Sequence, residues 1–332
     1  MIMTNVQEIP EVDIFDPEDK LTDRSATGRE RPWRAKKMAN ELLAAAYDQV
    51  DPRKAARLRD CAKVLSFRRY SDGKLRLQSM NSCRVRLCPM CSWRRSLKTY
   101  YTVQAIMKET LKEGKDYAYL MLTLTVPNCA GEDLSATIDL MMKSWNRLFR
   151  IPDVDKAVKG WYRGMEVTHN TQYGTKNFDT YHPHFHVLIA VNKSYFTSRD
   201  YLSQARWSEV WRQALQVDYT PIVDVRRIKG DLFRAVAEVA KYACKESDYI
   251  IPDDWDLTVD TVRLLDTALA NRRFVAYGKE FRRIKHKLGL EDEETGSLVD
   301  VGEPDEIGKE DIYEIVHYFW YSGYRQYYAI EP

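Results

Sequence analysis

The stretch DTYHPHFHVLIAVN, residues 179–192, places three of the chain's six histidines within five positions and follows them with an apolar run. Side chains alternate across a strand, so His184 and His186 share one face, about 7 Å apart along the backbone, while Phe185 points to the other. Two imidazoles on one face can converge on a cation. His182 would share that face but stands at the strand's ragged start, which leaves its part in the ligand set open. Upstream, WYRGMEVTHN (161–170) reads as an antiparallel neighbour across the turn-rich TQYGTKNFDTY (171–181). A simple hairpin between them puts Glu166 opposite His186 and on the same face. The resulting two-histidine, one-carboxylate site suits Mn²⁺ or Mg²⁺, and its donors also admit Zn²⁺ or Fe²⁺.

Outward from this hairpin, YAYLMLTLTVPN predicts a strand over 119–126, and a further strand is expected over 222–228. Helical spacing relates Leu134, Ile138, Met141, Trp145 and Leu148, and a second helix carries Trp207, Val210, Trp211 and Leu215. Strands and helices mix without βαβ alternation, which predicts an α+β fold around a central antiparallel sheet. The segment DLFRAVAEVAKYACKESDY (231–249) reads as a helix with Glu238, Tyr242 and Lys245 on one stripe. A phenol, with a pKa of about 10, is a weak nucleophile at neutral pH. Lys245 favours the phenolate and a metal draws charge off a phosphoryl group, so Tyr242 is the candidate nucleophile, with Glu238 directing water or taking a proton. Tyr249 is the reserve nucleophile.

The formal net charge of +2 hides a segregation along the chain. Residues 51–98 carry 14 Lys/Arg against 3 Asp/Glu, whereas 289–314 carries 11 Asp/Glu and one Lys. The first favours a polyanion; the second is expected to solvate a linker. Within the basic segment, NSCRVRLCPMCSWRRSLK gives C-x4-C-x2-C, and Cys83, Cys88 and Cys91 with Cys61 upstream form a candidate structural Zn²⁺ site. Cys129 and Cys244 stand apart as passengers. Arg84, Arg86, Arg94, Arg95 and Lys98 surround the cysteine knuckle and are the candidate contacts to such a polyanion, which the resemblance given below implies is DNA. No apolar stretch is long enough for a membrane span and the acidic N-terminus does not read as a signal peptide, so a cytoplasmic protein is expected.

The organisation expected is a flexible acidic arm (1–30), a helical, zinc-binding basic module (31–112), a catalytic domain (113–252) and a C-terminal extension (253–332). The extension runs through the acidic linker to an aromatic segment, IYEIVHYFWYSGYRQYYAI, expected to close the core.

Taken together, HPHFHVLIAV resembles the histidine-hydrophobic-histidine motif of HUH endonucleases, YLMLTLTVPN their first motif strand, and EVAKYACKESDY their tyrosine motif. With the cysteine segment, the chain resembles most the initiator proteins of bacterial rolling-circle plasmids, in the branch with one catalytic tyrosine and a nearby glutamate. That resemblance spans about 33–249. It implies His184, His186 and Glu166 as ligands of the catalytic cation. It implies Tyr242 as the nucleophile that nicks the plasmid's double-strand origin, holding the 5′ phosphate and freeing a 3′ hydroxyl, and Glu238 as the residue that promotes hydrolysis at termination. It further implies a single-stranded or hairpin nick site, with host helicase and polymerase as partners. Other readings are an HUH transposase or mobilisation relaxase, and a non-catalytic zinc-containing DNA-binding regulator.

Overall fold

A computed structural model describes residues 16–230, 236–237, 240, 244–303 and 312–330. The chain begins with two packed helices, α1 (Trp33–Val50) and α2 (Pro52–Asp60). Asp51 ends the first and caps the second, accepting from the Arg53 and Lys54 amides, with Pro52 at a position where its missing N–H costs nothing. The hairpin β1 (Val64–Tyr70) and β2 (Leu75–Met80) follows, then the long helix α3 (Pro89–Lys112).

The central sheet is built from β3 (Tyr117–Thr125), β4 (Val158–Asn170), β5 (Thr180–Asn192), β6 (Val223–Arg227) and β7 (Val275–Lys279), in the order β6-β3-β5-β4-β7. Every pairing is antiparallel, so the fold is α+β as expected. The histidine strand β5 lies in the middle, where both edges are hydrogen-bonded and its position is fixed from both sides.

Alternation along β5 divides its side chains between two cores. Phe185, Val187, Ile189 and Val191 face the layer of α4 (Leu134–Leu148) and α6 (Gln204–Leu215), where Phe185 meets Trp145 edge-on at 5.5 Å and Trp211 at 6.2 Å. Leu188 and Ala190 face the other way, onto Val103, Ile106 and Met107 of α3 and Phe281 of α8 (Glu280–Lys287). The short α5 (Pro152–Ala157) leads into β4, and α7 (Trp255–Ala268) packs against α1. His182, His184 and His186 continue the face of Leu188 and Ala190 toward the strand's start.

The hairpin register differs from expectation by two residues: Glu166 pairs with His184, and His186 pairs with Gly164. The turn closes between Asn170 and Thr180, helped by Asp179 in the left-handed region at φ 53°, a conformation Asp tolerates better than most residues. A two-residue shift leaves every side chain on its expected face.

Residues beyond 252, expected as an extension, are built into both sheets. Strand β7 forms one edge of the central sheet. The aromatic segment forms β8 (Tyr313–Tyr321) and β9 (Gln326–Ile330), which complete a second antiparallel sheet in the order β2-β1-β8-β9. Its core joins Trp33, Phe67 and Tyr318 through edge-on contacts at 5.7 and 5.8 Å. Among the described residues no helix is long and apolar enough to cross a membrane.

Candidate functional site

Glu166 Oε2 lies 2.8 Å from His186 Nε2 and 3.4 Å from His184 Nε2, and the two Nε2 atoms are 3.1 Å apart. Opposite His186, Gly164 has no side chain to intervene on the path to Glu166. The site is nearly closed: Glu166 is 2% and His184 8% exposed. His184 Nδ1 lies 3.0 Å from the His182 carbonyl, which can only accept, so Nδ1 carries the proton and Nε2 presents a lone pair. Burial alone would push the Glu166 carboxyl up. The adjoining rings of His184 and His186 and the Lys245 ammonium outweigh it and hold the group well below the usual carboxylate range.

These three donors fit a divalent cation. Metal–ligand distances of about 2.0–2.2 Å give an octahedral face with edges of about 2.8–3.1 Å, against the 2.8, 3.1 and 3.4 Å present. Two imidazoles and a carboxylate on one face are the donor pattern that leaves positions for water and phosphate. Burial lowers the pKa of His182, its ring stacks on His184 at 5.2 Å, and it stands outside the donor set.

Lys245, expected to act on a phenolate, places Nζ 2.9 Å from Glu166 Oε1. Glu238 and Tyr242 lie outside the described residues. The helix expected over 231–249 is described only in part: Val236, Ala240 and Cys244 are buried at four-residue intervals, and Glu246–Asp248 forms a 3-10 turn. Tyr249, the expected reserve nucleophile, is removed from that role. It is 1% exposed, its hydroxyl donates to the Leu87 carbonyl at 2.7 Å, and burial pushes its pKa well up.

A clasp near this site was missed in the sequence. His169 lies with one ring nitrogen 2.9 Å from the Asp179 carboxylate and the other 3.2 Å from the Asp248 carbonyl, and its ring stacks on Tyr181 at 4.3 Å. It ties the hairpin turn to the segment that carries Lys245, and Asp248 Oδ2 in turn accepts from the Lys245 amide at 2.7 Å. The only signal was Asp three residues after Lys245, a capping spacing.

The four expected zinc ligands meet at the start of α3. Cys61 Sγ lies 3.6 Å from the sulfurs of Cys88 and Cys91, and Cys83 Sγ 3.8 Å from Cys91. These gaps exclude disulfides. They match the edge of about 3.8 Å for a tetrahedron of thiolates at about 2.3 Å from Zn²⁺. Amides of Cys83, Arg84 and Cys91 point at the sulfurs from 3.4–3.5 Å. Hydrogen bonds from Cys61, Cys83 and Cys88 hold the Cys91 thiol below its ordinary range, whereas burial pushes Cys88 up. Beside them, the fully buried Lys37 donates to the carbonyls of Arg59 and Cys61, a cation suited to a thiolate cluster of net negative charge. Cys129 and Cys244 lie outside the cluster.

Comparison with known sequences agrees with this geometry. A family model described as "Replication protein" matches residues 74–328, which contain Glu166, His184, His186 and three of the four clustered cysteines. The chain belongs to this replication-protein family. A "Protein rep" of Bacillus amyloliquefaciens is 38% identical over 92% of this chain and 96% of its own length. Another from Bacillus sp is 41% identical over 75% of this chain and 85% of its own. A third, from Streptococcus pneumoniae serotype 2, is 38% identical, covering 86% and 88%. No solved structure matches significantly.

In this replication protein the basic segment is engaged differently from expectation. Arg84 donates to the carbonyls of Thr295 and Gly296, Arg86 pairs with Glu294 at 2.5 Å, and Arg94 donates to the carbonyls of Leu298 and Val299. Lys98 pairs with Glu291. Arg95 is half-buried, its Nε without a hydrogen-bond partner among the described residues. Four of the five cations expected to grip phosphate therefore hold the acidic stretch against α3 and the loop before it. Its described part up to residue 303 is correspondingly not a solvated linker: Glu293 is 3% exposed, bound to the Tyr277 hydroxyl and Lys285, and Leu298 and Val301 are buried. Opposite charges far apart in the chain found each other.

Proposed function

We propose that this plasmid replication initiator acts by cutting one strand of its origin DNA, with Tyr242 as the nucleophile. The Tyr242 oxygen attacks the scissile phosphorus and gives up its proton. The bond from phosphorus to the 3′ oxygen breaks, that oxygen takes a proton, and the 5′ phosphate stays on the tyrosine as a phosphodiester. The free 3′ hydroxyl then serves a host polymerase as primer, with a host helicase opening the duplex ahead.

The observation that carries this reading is the convergence of Glu166, His184 and His186 within 2.8–3.4 Å in a chain of the replication-protein family. A divalent cation, Mn²⁺ or Mg²⁺, supplies Lewis-acid charge at the scissile phosphate when bound there. Glu166 contributes a carboxylate that stays ionised, and His184 a lone pair oriented by the His182 carbonyl. Lys245 keeps a positive charge next to Glu166, where it adds to the field felt by an incoming phosphate. Glu238 directs water onto the tyrosyl phosphate at termination, which limits the protein to one round. The attack requires the target phosphate in single-stranded or hairpin form. The four cysteines hold Zn²⁺ as a structural ion.

The test is a labelled single-stranded origin oligonucleotide incubated with the protein and Mn²⁺, followed by denaturing electrophoresis. A protein–DNA adduct is expected, lost in Tyr242→Phe and in His186→Ala. In Glu238→Ala, adduct formation should persist while release is impaired. An undiminished adduct in Tyr242→Phe would move the nucleophile elsewhere, and no adduct with wild type under any divalent cation would sink the reading.

A further inference from the structure

Strand β7 pairs with β4 only as far as Gly164, and the edge of β4 from Glu166 to Asn170 has no strand on that side among the described residues. The segment 244–249 packs across this open edge instead. Glu166 and His169 stand three positions apart on β4, so their side chains point to opposite faces of the sheet. On one face Lys245 Nζ reaches Glu166 Oε1 at 2.9 Å. On the other, His169 Nδ1 lies 3.2 Å from the Asp248 carbonyl, which can only accept, so Nδ1 donates. One short segment therefore grips the strand from both faces.

The span between the two grips is stiff. Asp248 Oδ2 accepts from the Lys245 amide at 2.7 Å, and the Asp248 amide donates to the Lys245 carbonyl at 3.0 Å, which closes a reciprocal box around the turn Glu246–Asp248. A shift of the Asp248 carbonyl carries the Lys245 main chain with it. His169 is itself held firmly. Its side chain is fully buried, its ring lies flat on Tyr181 with centroids 4.3 Å and planes 6° apart, and Nε2 is 2.9 Å from Asp179 Oδ1.

We propose that His169 is a positioning residue for the nicking reaction: by holding Asp248 on the far face of β4, it fixes where the Lys245 ammonium stands beside Glu166. The inference rests on the nicking reading above and adds to it a residue that faces away from the cation donors. Lysine is a compact charge on a flexible stem, so the main chain beneath it must be fixed if that charge is to meet a scissile phosphate at one place. A displacement of about 1 Å far from the reacting atoms can cost about a hundredfold in rate.

The test is a double-mutant cycle on single-turnover adduct formation, with the full chain in excess over a labelled single-stranded origin oligonucleotide, saturating Mn²⁺, and rates normalised to folded protein. His169→Phe keeps a stacked ring of similar volume and removes the donor. It should slow adduct formation about ten- to hundredfold, while oligonucleotide affinity, measured by anisotropy, stays unchanged. Lys245→Ala should slow the reaction to a similar extent. The double variant should be little slower than Lys245→Ala alone, because a residue that acts through Lys245 then has nothing left to position. A ring that only supported the fold would slow both backgrounds equally. Asp179→Gly is the second variant: glycine accepts the left-handed backbone there, at φ 53°, so the turn is kept while the carboxylate that holds the ring is lost. It should give the same non-additive pattern, more weakly. A wild-type rate in His169→Phe, or equal slowing with and without Lys245, would overturn the assignment, and Asp179→Gly is read by the same two criteria if the ring substitution does not fold. Either result alongside a normal wild-type adduct would remove His169 from the reaction and leave nicking in place.

Discussion

Stripping the cation from the cysteine cluster should undo the packing around it and destabilise the fold. The four sulfurs come from the end of α2, the loop after β2 and the first turn of α3, and they sit 3.6–3.8 Å apart with every cysteine buried. Without a cation, thiols must stay protonated or repel, and the buried Lys37 ammonium loses its counter-charge. Structural zinc contributes about 10–16 kcal/mol in small zinc domains at neutral pH, as large as the whole stability of a typical domain, roughly 5–15 kcal/mol. Removal should therefore erase the fixed packing of α1, α2 and the second sheet. Near-ultraviolet circular dichroism should report it, since Trp33 and Trp93 pack edge-on at 4.6 Å beside the cluster. Titration with a strong chelator, metal release followed colorimetrically, should lower that signal in step with the metal lost. The melting transition should shift down by tens of degrees. Cys88→Ser should behave like the chelated wild type. Complete metal loss with unchanged melting and dichroism would refute the reasoning.

Three further outcomes are expected. Breaking the buried pair of Glu293 with Lys285, 2.6 Å apart, through Glu293→Gln should cost about 3–5 kcal/mol in urea denaturation of the metal-loaded protein, and a cost under about 1 kcal/mol would show the acidic stretch to be dispensable. Asp23 titrates near 6 when folded against an ordinary 3.8, chiefly through burial and despite Arg31 and Arg94, with Glu303 adding to the rise. Because the folded state holds this proton more tightly, stability falls as pH rises through about 4 to 6, by roughly 3 kcal/mol relative to Asp23→Asn; a difference constant with pH would contradict this. Tyr249→Phe should cost about 1–2 kcal/mol through the Leu87 carbonyl it leaves unpaired, with adduct yield per folded molecule unchanged; loss of the adduct would return Tyr249 to the chemistry.

The face that could hold a metal ion was legible because a strand repeats every two residues, so His184, His186 and Glu166 could be placed together without knowing the register. The register itself depended on where the turn closes. That was set by Asp179 taking a left-handed conformation, which its neighbours do not announce. The cysteine cluster was legible from spacing, since a Cys-Pro-x-Cys turn needs little beyond itself. Charge segregation was equally visible, but composition cannot tell whether a basic surface meets an external polyanion or an acidic stretch about 200 residues later in the same chain. Here Arg84, Arg86, Arg94 and Lys98 take the internal partner. The pairing of β1 with β8 was illegible for a related reason: each strand alone shows only that it wants a neighbour.

That last pairing has a consequence for how the protein is made. Strand β1 (Val64–Tyr70) has its partner at Tyr313–Tyr321, and Tyr327 donates to the Ala62 carbonyl from further still. The strands of the central sheet from β3 to β6 are complete by residue 227, while the sheet beside the cysteines must wait, with one edge of β1 open, until residue 330 has left the ribosome. Contacts of such separation form late and slowly. A nascent or truncated chain would thus carry its histidine strand before the sheet beside the cysteines is closed.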